Sequence, residues 1–489
     1  MGYFTEIRTA IVFVENHIYD THIDYGELQR AIGFSHAHIR DIFSRSTGMP
    51  LMRYVQERKI NNSAFDLLHS ELRVLDIAMK YGFENHETYS RAFKKVIGIT
   101  PNEYRKKRYA VGKSKLVSGD YGLSILDERQ VVTVMNSLES SKESTVLYGV
   151  PKVEYGMNCT PYPLCLKSCA TYLGEDIDYS YAMVASGAAF RFTWNREFWD
   201  LSNVDIFHAM NDTSEIYSIG AKALGRSFEF LERTDRTTKE EFITFITKHI
   251  DAGLPCIALG IIGPPEACII TGYRDNGDTL LGWNFFQNDP GFGANVSFDE
   301  SGYFITDKWW ENTDTQAVMC MGEVVSDKKP LKEIVEYGIR ILTGREQGTY
   351  AKGLNAYDAW KNTLLSDRIS ESSPMALLFE RRMCIDDALS SLLDGRGNAS
   401  RFFSELGDKS LENKEELYEI AVQFDNVFKL VMEMVSVLGG WEKDEATLKR
   451  LADRKVIDDM CKLIDKAKEE ESKAWRALTH LGALLDKNK

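Results

Sequence analysis

The chain has 489 residues, 44% of them hydrophobic and 27% charged, with a net charge of −14. That length predicts about three domains of ordinary soluble composition. The acidic total excludes a general polyanion binder, and the lack of an apolar run of about 18 residues argues against a membrane span. The charge is unevenly spread: residues 1–110 hold sixteen Lys and Arg against thirteen Asp and Glu, leaving about −17 for the remainder. A mildly basic N-terminal module is therefore joined to an acidic body. The N-terminus lacks a basic start followed by an apolar stretch and a small-residue cleavage site, so no signal peptide is expected. All eight cysteines follow residue 158 and form no CxxC pair, which suits a reduced, cytoplasmic protein.

Tyr3, Ile7, Ile11, Val14 and Ile18 lie on one stripe of a first helix. "GELQRAIGFSHAHIRDIFSRSTGMP" then predicts a short helix ending at Gly33 and a second one capped by Ser35. Glycine permits the sharp turn between the two. About 50 residues on, the layout repeats in "VLDIAMKYGFENHETYSRAFKKVIGITP". Gly82-Phe83 matches Gly33-Phe34, Tyr89 matches Ile39, Phe93 matches Phe43 and Gly98 matches Gly48. The segment "LMRYVQERKINNSAFDLLHS" between the repeats predicts a helix spanning about 27 Å. Two recognition helices held that far apart fit successive major-groove segments, which lie about 34 Å apart.

Residues 5–108, and "IAMKYGFENHETYSRAFKKVIGITPNEYR" above all, closely resemble the DNA-binding domain of AraC/XylS-type transcription regulators. The resemblance implies double-stranded DNA as partner, read by the first turns of two recognition helices. Ser35, His36, Ala37, Arg40 and Asp41 fall there in the first, and Asn85, His86, Glu87 and Arg91 in the second. Arginine pairs with guanine and a carboxylate accepts from cytosine N4. Arg45, Lys94, Lys95 and Arg105 suit phosphate contacts, which position without reading sequence. Most members of the family carry this domain at the C-terminus, whereas here it comes first.

Residues 109–149 read as a linker, with the Ser-rich "SLESSKEST" as a flexible connection and "ERQVVTVM" as a strand. From 150 to 345, helix and strand signals mix. "TKEEFITFITKHIDAG" is a helix capped by Thr238, with Glu240 and Glu241 in its first turn and Gly253 at its end. Cys256–Leu259 and "ACIITGY" are buried strands, Asn276-Gly277 a hairpin turn, and "TLLGWNFF" the return strand. From 346 to 489 the chain reads as helix, with Ile457, Met460, Ile464, Ala467, Ala474, Leu478 and Leu481 at helical period. "LYEIAVQFDNVFKLVMEMVSVLGG" is apolar on more than one face, as the centre of a bundle would be.

The helix "PLCLKSCATYLG" followed by that strand set resembles the papain-like fold of bacteriocin-processing peptidases and butirosin-biosynthesis-protein-H-like domains. The family pattern has Cys at a helix N-terminus, His before a strand ending Thr-Gly-Tyr, and Asp or Asn after a hairpin. Here the nucleophile position falls on Pro161, with Cys159 two residues away, and the His position holds Glu266, while Asn284 fits the third. A carboxylate beside a thiol raises its pKa instead of generating a thiolate. The resemblance thus implies a pseudo-enzyme cleft with no catalytic residue and no cofactor. Tyr162, Arg191, Trp194, Glu266, Tyr273, Trp283 and Asn284 are its candidate ligand-binding residues. No metal site is expected: Cys159, Cys165 and Cys169 lie close in sequence, but no His or Cys pair elsewhere has ligand spacing.

The predicted fold class is multidomain: an all-α double helix-turn-helix domain, an α+β papain-like domain, and an α-helical C-terminal bundle. The function expected is a sequence-specific, ligand-sensing transcription regulator. Its partners would be DNA, a cationic or polyhydroxylated effector, RNA polymerase if it activates, and a second copy as homodimer. The alternatives are a DNA-tethered acyltransferase or amidase using Cys159, and a non-sensing dimerisation platform.

Overall fold

The computed structural model describes residues 10, 13–14, 17–20, 23–47, 50–69, 72–97, 99–107, 137–156, 158–207, 212–289, 291–293, 296–344, 348–410 and 412–487. The expectations on Tyr3, Ile7, Ile11, Gly48, Gly98 and the strand "ERQVVTVM" lie outside these residues. Two compact units partition the chain: 1–141 with 145–151 and 300–302, and 142–144 with 152–299 and 303–489.

In the first unit, α1 (Tyr25–Ile32) and α2 (His36–Thr47) are followed by α3 (Leu51–His69), α4 (Val74–Lys80), α5 (His86–Ile97) and α6 (Pro101–Lys107). Gly33 ends α1 at φ 80° and Gly82 follows α4 at φ 72°. Those left-handed conformations explain why the repeat places glycine at both turns. Each repeat closes its own core. Ile39 and Phe43 pack with Leu51, Tyr54 and Val55, while Tyr89 and Phe93 pack with Ile60, Ala64 and Leu67. The single helix α3 thus serves both cores, one at each end. Its 19 residues span about 28 Å. Ser63 Oγ accepts from the Tyr89 hydroxyl at 2.9 Å, and Asp66 accepts from the Tyr81 hydroxyl at 2.8 Å. These bonds satisfy the ring hydroxyls that the second core would otherwise bury unpaired.

The Ser-rich segment expected as a flexible connection forms a hairpin instead. Strands β1 (Ser137–Ser140) and β2 (Thr145–Tyr148) pair antiparallel. Buried Val146 and Leu147 anchor the return strand, a pattern too short to stand out from its polar flank.

The second unit opens with α7 (Pro161–Tyr172), α8 (Tyr179–Ala185), β3 (Thr193–Asn195), α9 (Thr213–Ala223) and β4 (Arg226–Glu232). It continues with α10 (Lys239–Asp251), β5 (Cys256–Leu259), β6 (Ala267–Arg274), β7 (Thr279–Trp283), β8 (Ser297–Phe298), β9 (Phe304–Thr306) and β10 (Ala317–Val324). Seven of these strands form an antiparallel sheet in the order β4-β10-β5-β6-β7-β9-β8. Thr238 and Glu241 complete a reciprocal capping box on α10, and Gly253 follows it at φ 79°. Asn276 and Gly277 both take positive φ between β6 and β7, as a tight hairpin turn requires.

Among the described residues the C-terminal part is helical apart from one strand. After α11 (Leu331–Thr343) comes β11 (Tyr350–Lys352), paired antiparallel with β3. Then follow α12 (Leu354–Ser366), α13 (Met375–Lys409), α14 (Lys414–Val437), α15 (Glu445–Lys449) and α16 (Arg454–Lys487). Met460, Ile464 and Ala467 of α16 share a core with Val427, Val431 and Met434 of α14. Gly395 lets α13 approach the 188–191 segment closely: a Cβ there would lie 2.8 Å from the Ala189 carbonyl. Next to it Arg396, fully buried, donates to the carbonyls of Ala189, Phe190 and Arg191 and pairs with the fully buried Glu471.

Candidate nucleic-acid interface and candidate effector cleft

In the first unit the two predicted recognition helices present polar side chains on the arc opposite their buried stripe. Ala37, Arg40 and Asp41 of α2 are exposed, as are His86, Glu87, Arg91, Lys94 and Lys95 of α5. The buried stripe of α5 is Tyr89, Ala92 and Phe93. His36 and Arg45 lie within α2. Ser35 and Asn85 cap these helices: Ser35 Oγ accepts from His38 N at 3.4 Å, and Asn85 Oδ1 from Thr88 N at 2.9 Å. Their side chains therefore set where each helix begins. Arg105, expected on phosphate, instead donates to the Leu67 carbonyl at 3.0 Å and the Leu72 carbonyl at 2.7 Å. It braces the carbonyls at and beyond the end of α3, a role that a basic cluster in sequence does not announce.

In the second unit, α7 begins at Pro161 behind the N-cap Thr160. A helix N-terminus normally offers unpaired N–H groups. Here Pro161 and Pro163 have none, Tyr162 N donates to Asp205 Oδ1 at 3.1 Å, and Leu164 N donates to the Thr160 carbonyl at 3.4 Å. The preceding donors converge on one carboxylate from α13. Asp394 Oδ2 accepts from Cys159 N at 3.2 Å, Thr160 N at 3.0 Å, Thr160 Oγ1 at 2.7 Å and the Tyr179 hydroxyl at 2.8 Å. Cys159 Sγ lies 3.5 Å from the same oxygen. Burial first, then the Asp394 charge, pushes the Cys159 thiol well above its ordinary range. It is therefore held protonated, the opposite of an activated nucleophile.

Asp205 organises the surroundings. Its Oδ2 accepts from Ala267 N at 3.0 Å, and its carbonyl accepts from Arg191 Nε at 2.9 Å. Arg191 Nη2 also reaches Thr160 Oγ1 at 3.3 Å and the Asn203 carbonyl at 3.1 Å. Tyr162, Arg191 and Glu266, the neighbour of Ala267, are thereby gathered around Asp205. Asn284 joins through Gly260: Asn284 Nδ2 donates to the Gly260 carbonyl at 3.0 Å, and Gly260 N donates to the Glu266 carbonyl at 3.0 Å. Burial, with Asp387 adding to it, raises the Glu266 carboxyl to about 8. Burial raises Asp387 itself to about 7 and Asp205 to about 6. Glu266 accepts from the hydroxyl of Tyr155, a half-exposed ring lying 4.7 Å from Phe285.

Three predicted ligand residues stand elsewhere or serve the core. Trp194 stacks on Trp360 at 5.6 Å and donates to Thr363 Oγ1 at 2.9 Å, inside the helical core. Its aromatic segment pairs with β11, which the local sequence does not reveal. Tyr273 donates to Asp251 at 2.8 Å at the other end of β6. Trp283 packs edge-on to Tyr303 at 4.9 Å. Depressions of about 360 Å³, lined by Arg196, Asn355 and Asn362 among others, and about 480 Å³, lined by Asp212, Glu215 and Lys222 among others, border none of the seven candidates. The sequence reading missed Tyr155, Asp205, Asp387 and Asp394. The only sequence signal for the last two was carboxylates within the otherwise core-forming run of α13.

No helix among the described residues is long and apolar enough to cross a membrane. A helix-turn-helix domain model matches residues 28–107. The uncharacterized HTH-type transcriptional regulator YbfP of Bacillus subtilis is 32% identical over 117 residues, 24% of this chain and 39% of that protein. The HTH-type transcriptional activator AarP of Providencia stuartii is 30% identical over 99 residues, 20% of this chain and 73% of that protein. The right origin-binding protein of Escherichia coli is 32% identical over 100 residues, 20% of this chain and 34% of that protein. The matched segment thus spans well under half of two of these three relatives.

Proposed function

Because the chain belongs, through residues 28–107, to the AraC-type helix-turn-helix regulators, we propose that it controls transcription by binding specific DNA and sensing a small molecule through residues 152–489. Arg40 and Asp41 of α2 and His86, Glu87 and Arg91 of α5 read base edges. Lys94 and Lys95 contact phosphates, as exposed cations at the far end of a recognition helix do. What supports this assignment is the exposed arc of α5 opposite Tyr89, Ala92 and Phe93.

The sensing half is a pseudo-enzyme of papain-like descent. One observation carries that reading: Asp394 occupies the N–H groups of Cys159 and Thr160 just ahead of α7, where an acyl-transfer enzyme keeps open donors for an oxyanion. Pro161 at the nucleophile position has no N–H to offer, and the nearby Cys159 thiol is held neutral. The effector enters beside Tyr155 and meets Glu266, with Asp387 nearby. Carboxyls of this kind favour a cationic or hydroxyl-bearing molecule. Its binding shifts the DNA-binding geometry only as far as it prefers one conformation over another. The homodimer places two copies on a repeated or palindromic operator, and RNA polymerase is the further partner if the protein activates.

The DNA reading is tested by selecting bound sequences from a randomised duplex pool with the full chain at several salt concentrations. A recovered pool without sequence preference overturns it. The sensing reading is tested by thermal shift of the full chain against amine- and polyol-bearing small molecules, in parallel with Glu266→Gln. A compound that stabilises the parent and not the variant supports it. Stabilisation equal in both removes Glu266 from the site.

A further inference from the structure

We propose that residues of α10, β4, β5 and β10 form a binding site for one zinc-like divalent ion, with His249, Cys256 and Cys320 as ligands and the half-exposed Glu229, beside His249, drawn in as the fourth. The register of the sheet makes the row. Cys320 of β10 lies directly opposite Glu229 on one neighbour and Cys256 on the other. Residues directly opposite in antiparallel strands point to the same face. The three side chains therefore stand side by side across three strands, and His249 of α10 comes down on them. The ligating atoms of His249, Cys256 and Cys320 all lie within 4.8 Å of one another. These residues are 4%, 0% and 1% exposed. Spacing along the chain does not show this group, since strand pairing and not chain proximity assembles it.

The imidazole is oriented for ligation. Its Nδ1 lies 2.8 Å from the Phe245 carbonyl, which can only accept, so Nδ1 carries the proton. Nε2 then turns its lone pair toward the thiols, and it lies 3.2 Å from Glu229 Oε1. A lone pair and a carboxylate in contact need a positive charge between them, either a second ring proton or a metal ion. Ligating histidines have this arrangement, the outer nitrogen fixed on a carbonyl. Two thiols, an imidazole and one carboxylate match a borderline-soft, four-coordinate ion, with Zn–S of about 2.3 Å and Zn–N of about 2.0 Å.

Binding is balanced by protons. The ion replaces the hydrogens of two thiols, releasing two protons to solvent, while the neutral imidazole and the carboxylate donate lone pairs. Two thiolates and one carboxylate against a divalent ion leave one negative charge. Lys248 Nζ, 2.7 Å from Glu229, offsets it. The site ties α10 to β4, β5 and β10, and it stands independently of the effector reading.

The test uses the reduced full chain after removal of metal by a chelator. Cobalt(II) titration is expected to give a thiolate-to-cobalt charge-transfer band that saturates at one equivalent and is bleached by zinc. His249→Gln should weaken the ion at least about ten-fold, Cys256→Ser with Cys320→Ser should abolish the band, and Cys159→Ser should leave it unchanged. Zinc added to the metal-free parent chain in weak buffer should also release about two protons per ion, which decides the matter even if the double variant does not fold. A folded parent without the band, a band that survives in the folded double variant, or zinc addition that releases no protons overturns the proposal.

Discussion

The two units handle charge in opposite ways. In the helix-turn-helix unit the recognition helices carry their charges on exposed arcs, and Ser35 and Asn85 cap helices in their own chain neighbourhood. In the second unit the charges ahead of α7 and within the helical core are instead buried and paired across long stretches of sequence. Asp394 binds the Cys159 N–H just ahead of α7, 235 residues away from it in the chain, and Arg396 meets Glu471 across 75 residues. The difference separates two kinds of function. An exposed arc offers its side chains to a partner, so residue type and helical position already state what it does. A buried polar network offers nothing until its pairing is known.

The sharpest way to break that contrast is to cut the buried pair. Arg396 and Glu471 are both 0% exposed. Removing one partner strands an uncompensated charge, at a cost of about 3–5 kcal/mol. Arg396→Ala also leaves the Ala189, Phe190 and Arg191 carbonyls short of a donor. The expected result in urea is a large loss of stability in the transition of the second unit. Replacing both residues by Met and Leu should cost clearly less, because no charge is then left unpaired. Equal losses in the single and double variants would assign the effect to packing and the three stranded carbonyls, not to the unpaired charge.

Glu266 gives the next largest effect, and it depends on pH. Its carboxyl sits at about 8 against an ordinary 4.5. The folded chain therefore holds this proton more tightly than the unfolded chain. Stability contributed by that proton is present below about pH 4.5 and is lost as pH rises to about 8. Asp387, held at about 7, and Asp205, held at about 6, act in the same direction over narrower windows. Glu266→Gln should flatten part of this decline, by an order of a few kcal/mol at alkaline pH. Denaturant midpoints of both proteins from pH 5 to pH 9 (about the window concerned) check it. Parallel curves would mean that Glu266 is ionised in the folded chain across the range.

The same contrast explains what the sequence disclosed. The repeat with glycine at 33 and 82 predicts both turns because a local backbone conformation demands that residue. The capping box at Thr238, the Cys256–Leu259 strand and the helical period of α16 are also local, and the structure has them. The candidate cleft was legible only in part. Pro161 and Glu266 could be read as departures from a pattern, but the carboxylate that binds the N–H groups ahead of α7 arrives from α13. Trp194 was misjudged because its partner strand begins at Tyr350. The Glu229–Cys320–Cys256 row depends on strand order, which residue spacing does not encode.

Arg91 tests the exposed side of the comparison. It stands on the open arc of α5, so Arg91→Ala should change folding stability by no more than about 0.5 kcal/mol. If it reads a base, the variant loses about 1–3 kcal/mol of discrimination at one operator position and relaxes specificity there. Lys94→Ala should instead weaken binding to all sequences alike and reduce the salt slope by about one. Competition titrations on the selected operator and its single-position variants separate the two. Arg91→Ala behaving as Lys94→Ala would move Arg91 from base reading to phosphate contact.

The smallest effect asks whether local rules also hold inside the second unit. Thr238 Oγ1 accepts from Glu241 N at 3.2 Å, and Glu241 Oε2 accepts from Thr238 N at 2.8 Å. Thr238→Ala removes one half of this reciprocal cap and should cost about 1 kcal/mol. The cap lies at the first turn of α10, while His249 lies in its last, beside Glu229 and held by the Phe245 carbonyl. Fraying at the first turn therefore leaves the imidazole in place. Denaturant unfolding should register the loss while the cobalt band keeps its intensity and stoichiometry. Loss of the band in a folded Thr238→Ala chain would mean that α10 is positioned as a whole by its cap. The long-range row on the sheet would then depend on a purely local bond.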